Sequence, residues 1–131
     1  MNQQSDLLSC HLVMDSDNDQ PIVESLCVGF DTRMRLVAII EHTDYDEPAH
    51  SCSVSAVVNK DDAYELSRWL NVPLTHLPGA ITEAVKAQAE IVNPGTREVQ
   101  RCFKAIVDLF VDGRCPYRIV RKYGLDGFII C

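Results

Sequence analysis

Apolar and polar positions alternate four times in the first half of the chain. Leu8, Cys10, Leu12 and Met14 alternate with Ser9 and His11. Leu26, Val28 and Phe30 alternate with Ser25, Cys27 and Gly29. Leu36, Ala38 and Ile40 alternate with Val37, Ile39 and Glu41, and Val54, Ala56 and Val58 with Ser53, Ser55 and Val57. A period of two puts each set on one face of a strand. DSDNDQP, DTR and TDYDEPA separate the four stretches. Links this short join antiparallel neighbours, so the pattern predicts a four-stranded meander.

From Asn59 onward the period becomes helical. Asn59 stands where an N-cap belongs, ahead of KDDAYELSRWL, whose acids fall in the first turn. Ala63, Leu66, Trp69 and Leu70 form its apolar stripe. After NVPLTHL, Pro78 suits the first turn of a second helix, PGAITEAVKAQAEIV, with Ile81, Val85, Ala89 and Val92 on one face. Thr96 caps a third predicted helix. Its Val99, Phe103, Ile106 and Phe110 recur at helical spacing, and Gly113 fits its C-cap. Cys102, Val107, Leu109 and Val111 widen that surface, which predicts a cover: the second helix or another copy of the chain. The tail, PYRIVRKYGLDGFIIC, reads as YRIVRK, a turn through residues 123–127, and FIIC. The predicted fold is one α+β domain over residues 1–131. It is an antiparallel four-stranded meander followed by three helices and a C-terminal β-hairpin, with the helices on one face of the sheet.

Composition agrees with a folded domain and adds a charge asymmetry. At 131 residues the chain suffices for one core that buries roughly two-thirds of the unfolded surface. No apolar run approaches the roughly 18 residues of a membrane span. MNQQSDLLSC lacks the basic and long apolar regions of a secretory signal. Net charge is −7. Residues 1–62 hold twelve acids against Arg33, Arg35 and Lys60, whereas residues 63–131 hold nine bases against seven acids. The acidic half disfavours nucleic acid. Cys10, Cys27, Cys52, Cys102, Cys115 and Cys131 include no CxxC pair, and four lie in apolar periodic stretches. That placement predicts reduced thiols and a cytoplasmic protein.

Four stretches have candidate chemistry. EHTDYDEPAH, residues 41–50, gathers acids and histidines. If the third and fourth strands align their apolar faces, His42 joins Ile40 on the core side near Cys52, away from the acids of the tip. The stretch therefore reads as a solvated loop and not as a metal site. DSDND, residues 15–19, opens like a calcium-binding EF-hand loop, but Gln20 and Leu26 occupy the positions that need glycine and glutamate. ELSRWLNVPLTHLPGAI, residues 65–81, has helix-turn-helix spacing. Pro78 and Gly79 would then sit in a recognition helix that offers no arginine or lysine. Arg114, Arg118, Arg121 and Lys122 fall within nine residues beside Tyr117 and Tyr123. Arginine next to tyrosine can hold a phosphate and stack a base. The candidate ligand-binding set is Arg114, Tyr117, Arg118, Arg121 and Lys122. In a strand, Tyr117 and Arg121 face one way, Arg118 and Lys122 the other. The competing use of these bases is pairing with the acidic half, within the chain or across a dimer.

No GxSxG, HExxH, Walker or GxGxxG pattern is present. No catalytic residue, metal ligand or cofactor is assigned. The sequence points to a small non-enzymatic binding or regulatory protein, of the kind phages and mobile elements carry, acting through a protein partner or homo-oligomer. The alternative is a protein that binds or sequesters an anionic, phosphate-bearing ligand such as a nucleotide through the Arg-rich segment. The third reading is a helix-turn-helix DNA-binding regulator.

Overall fold

The computed structural model describes residues 7–16, 22–47, 51–88 and 96–123. Strands β1 (Leu7–Asp15), β2 (Ile22–Asp31), β3 (Leu36–Asp44) and β4 (Cys52–Val58) come first. Helices α1 (Lys60–Trp69), α2 (Leu77–Gln88) and α3 (Thr96–Asp112) follow, and β5 (Arg118–Tyr123) comes last. The strands form one sheet in the order β1-β2-β3-β4-β5, with every neighbouring pair antiparallel. The fold is α+β as predicted, but among the described residues the sheet has five strands. After the three helices YRIVRK returns to pair with β4. The FIIC arm lies outside the described residues.

The period-two pattern selects the core face in the three central strands. Leu26, Val28 and Phe30 of β2, Leu36, Ala38 and Ile40 of β3, and Ala56 and Val58 of β4 are buried in one cluster. Ala63 and Leu66 of α1, Leu77, Ile81 and Val85 of α2, and Val99, Ile106 and Phe110 of α3 complete it. β1 breaks the pattern. Its pairing shifts between Leu12 and Met14, so Val13 enters the core at 2% exposure while Leu12 is left 49% exposed. One extra residue in a strand re-aims its neighbours in this way. Phe103, Val107 and Leu109 pack partly against the core, so much of the wide apolar surface of α3 is used inside the chain. Val111 remains exposed.

The helix ends follow local chemistry with two departures. Asn59 occupies the N-cap of α1, yet its side chain makes no capping bond. Asp61 and Asp62 supply the negative charge of the first turn. At the other end Asn71 takes φ 60, and the N–H groups of Asn71 and Val72 donate to the carbonyls of Arg68 and Ser67 at 3.0 Å. This is the Schellman closure, with asparagine at the left-handed position it tolerates. α3 closes the same way. Arg114 N–H donates to the Val111 carbonyl at 3.0 Å and Cys115 N–H to that of Phe110 at 2.8 Å. Here the left-handed residue is Arg114, φ 53, and not the expected Gly113. Gly113 is needed for space: a Cβ there would stand 2.9 Å from Trp69 Cε3 and 3.1 Å from Leu66 Cδ1.

A left-handed non-glycine residue is strained by about 1–2 kcal/mol, offset in part by glycine's greater unfolded-state freedom. Arg114→Gly should therefore raise stability by roughly 0.5–1 kcal/mol. Urea denaturation measures it, and a loss of stability would mean that the Arg114 side chain holds the turn.

Candidate functional site

The helices occupy one face of the sheet; the candidate site lies on the other. There Cys27, Val37, Ile39 and Val57 form a second, smaller buried cluster with Val120 packed against it. A cavity of about 290 Å³ opens on this face. Val37, Ile39, Val57 and Val120 make its apolar floor, with Ser55 among them, and Asp31, Thr32, Arg35, Arg118 and Lys122 its polar rim.

Strand register decides which bases reach the cavity. β5 aligns Arg118 with Val57, Val120 with Ser55 and Lys122 with Ser53. These three residues of β5 share the face of Val37 and Ile39, and the two cations stand four residues apart, roughly 13 Å by strand rise. Arg121 is aligned with Val54 and so belongs to the opposite face, where it is exposed. Arg114 is held at the end of α3 by the turn just described. The Tyr117 ring lies against Phe110, centroids 5.9 Å apart and tilted by 45°. Of the five candidates, then, Arg118 and Lys122 are brought together and Arg114, Tyr117 and Arg121 are not. Among the described residues, no ion pair with the acidic half engages Arg114, Arg118 or Arg121.

The rim also holds a pair that no sequence motif marks. The β2–β3 turn closes with Met34 N–H donating to the Asp31 carbonyl at 3.0 Å and Met34 at φ 61, a type I turn followed by a left-handed residue. Asp31 Oδ1 accepts the N–H groups of Arg33 and Arg35, both at 2.9 Å, and Arg35 Nε donates to Oδ2 at 2.8 Å. Burial pushes the Asp31 pKa up. The bonds from Arg35 and Arg33 outweigh that and hold it below the ordinary carboxylate value. The turn thus fixes Arg35 at the cavity mouth. One row beyond the cavity, Ser53 is 3% exposed, and its Oγ has no hydrogen-bond partner. A buried hydroxyl left so is costly, and a ligand oxygen near Lys122 would satisfy it.

The described parts of the other motifs take part in local structure. Asp44 Oδ1 accepts the N–H groups of Asp46 and Glu47 at 3.0 Å, capping an exposed loop, while His42 turns away from it to Glu24. His42 is the register partner of Cys52. His50 and residues 17–20 of the DSDND stretch lie outside the described residues. A short tight turn, Leu74–His76, separates α1 from α2, so Pro78 sits in the first turn of α2. No helix of the described residues is long and apolar enough to cross a membrane. The cysteines depart from the all-thiol expectation: Cys52 is disulfide-bonded, whereas Cys27, Cys102 and Cys115 are thiols. Burial raises the pKa of Cys102, and burial with the Asp62 charge pushes Cys115 up to about 11. Both are poor nucleophiles.

The depressed pKa gives the Asp31 carboxylate a stabilising role above the unfolded value of about 3.9. That contribution is lost as pH falls through the folded value. Asp31→Ala should lose about 1.5–3 kcal/mol at pH 7 and show a shallower fall in stability below about pH 4. Urea midpoints at pH 7 and pH 3 test this; an unchanged difference between the two pH values would contradict it.

Comparison of the chain with protein-family models, with curated proteins and with solved structures finds no match, so the chemistry of this face is read from its own residues.

Proposed function

We propose that this is a small binding protein that takes a phosphate-bearing ligand, of nucleotide class, on the helix-free face of its sheet. The observation that carries the reading is the placement of Arg118, Lys122 and the turn-fixed Arg35 around an apolar floor. Arginine offers a planar fork to phosphate oxygens, and Val37, Ile39, Val57 and Val120 offer a surface for a flat base. The cavity volume, about 290 Å³, is at the lower end of small-ligand sites.

A protein partner, or a second copy of the chain, is the second reading. Tyr64 is 51% exposed, Trp69 52% and Val111 58%. Exposed aromatic residues of this kind anchor interfaces. Their place is on the helical layer, so the two readings use different surfaces.

Calorimetric titration with pyrophosphate and with ATP, at about 150 mM salt, separates them. ATP should bind more tightly than pyrophosphate because it also covers the floor. Arg118→Ala should weaken ATP about 10- to 100-fold, the loss of a charge-assisted hydrogen bond. Arg121→Ala, which removes the same charge from the opposite face, should have little effect. Equal losses from both variants would reduce the effect to net charge, and no heat at millimolar ATP would reject the reading.

A further inference from the structure

The cavity on the helix-free face is charged unevenly along its length. Asp31, Thr32 and Arg35 border it from the β2–β3 turn. Arg118 borders it from the start of β5, opposite Val57, which is itself opposite Val37. Arg35 stands two residues before Val37. Two strand spacings and two residues of rise therefore separate the backbones of Arg35 and Arg118, roughly 12 Å. Two arginine side chains that border one cavity close such a gap. Lys122 borders the other end, roughly 20 Å from Arg35 along the strands.

The two arginines also have bonding capacity to give. Arg35 commits its Nε to Asp31 Oδ2 at 2.8 Å, which fixes the plane of the guanidinium. Its Nη groups have no partner among the described residues, and neither has the Arg118 guanidinium. Lys122 differs. It shares a register row with Ser53 and Glu41, and both it and Glu41 are already engaged.

Charge limits what the turn end can take. Arg35 and Arg118 bring +2 and the Asp31 carboxylate −1, a net +1. One phosphate monoester carries about −1.5 to −2 at pH 7. A second and a third phosphate would bring further negative charge beside Asp31, with no other cation among the lining residues at that end. Size points the same way. The volume, about 290 Å³, falls just below the roughly 300–1,000 Å³ of drug-sized ligand sites. Past the arginines the floor is apolar: Ile39 and Val120 lie two residues further along, roughly 7 Å.

We infer, on the nucleotide reading above, that the ligand is a nucleoside monophosphate held in one direction. Its phosphate monoester lies between Arg35 and Arg118 at the β2–β3 turn, and its base on Ile39 and Val120 toward Lys122. Arg35 presents its two Nη groups to the terminal oxygens, because Asp31 holds the Nε side. Asp31 is thus a positioning residue that also keeps longer phosphate chains out. Lys122 donates to the acceptors on the edge of the base.

The test is calorimetric titration of the full chain at about 150 mM salt with adenosine monophosphate (AMP), ATP and cyclic AMP. Cyclic AMP keeps the base but has a diester with a single charge. AMP should bind about tenfold more tightly than cyclic AMP and at least as tightly as ATP. Arg35→Lys and Arg118→Lys keep the charge and lose the planar fork, and each should bring the AMP to cyclic AMP ratio close to one. Lys122→Ala, at the base end, should weaken both ligands alike and preserve the ratio. ATP bound more tightly than AMP would overturn the monophosphate assignment and leave the nucleotide reading standing. A ratio that falls as far in Lys122→Ala as in Arg118→Lys would overturn the orientation. Heat from none of the three ligands would reject the nucleotide reading and the monophosphate with it. Should Arg35→Lys unfold through loss of its bond to Asp31, Arg118→Lys, exposed on β5, decides.

Discussion

The register of β2, β3 and β4 is the constraint on which the rest of the structure depends. Nine consecutive pairs join β2 to β3 and seven join β3 to β4, with no shift in either run. A slip of one residue would turn Leu26, Val28, Leu36, Ala38, Ala56 and Val58 from the helices to the other face. Each large apolar side chain so exposed costs roughly 1.5–3 kcal/mol. The helices reinforce the choice, because Leu66, Ile81, Val99, Ile106 and Phe110 meet those side chains in one cluster. The same lock aligns Glu24, His42 and Cys52 on the covered face and Val37, Ile39 and Val57 on the other.

β5 extends this lattice and gives it charge. Its chain position, after seventeen residues of α3 and the Arg114 turn, returns a basic strand to the edge of an acidic meander. Alternation then divides the bases. Arg118 and Lys122 go to the cavity face and Arg121 to the helix side. Arg35 arrives from the β2–β3 turn, at the strand end where Arg118 stands, held by Asp31. The surface pairs elsewhere are of another kind. Arg68 lies 3.7 Å from Glu65 and Lys104 3.8 Å from Asp108, all well exposed, and such pairs contribute little. The charges that matter are those whose geometry a turn or a strand fixes.

Much of this was legible in the sequence because its period was unambiguous. Leu36, Ala38 and Ile40 alternate cleanly, and the face they select is the buried one. Val99, Ile106 and Phe110 likewise mark the inner stripe of α3. The nearness of His42 and Cys52 followed from aligning two apolar faces. What the pattern hid has physical causes. The bulge at Val13 leaves apolar letters on both faces of β1, so alternation alone misassigns Leu12. Strand β5 pairs across three intervening helices, and a local pattern carries no record of such a partner. Asp31 and Arg35 belong to the cavity through turn geometry and not through a motif. Arg114 took the left-handed position because Gly113 was claimed by the close approach of Trp69. The disulfide state of Cys52 is a matter of distance in space, which its apolar neighbours in sequence do not report.

The claim that organises the account is the register of β5 on β4, since it decides which cations face the cavity. Nuclear Overhauser contacts between opposed α-protons test it most directly. The account predicts such contacts within one alternate set of the pairs Val57–Arg118, Ala56–Ile119, Ser55–Val120, Val54–Arg121 and Ser53–Lys122. Contacts displaced by one residue, such as Ser55 with Ile119 or with Arg121, would place Arg121 over the cavity and contradict it.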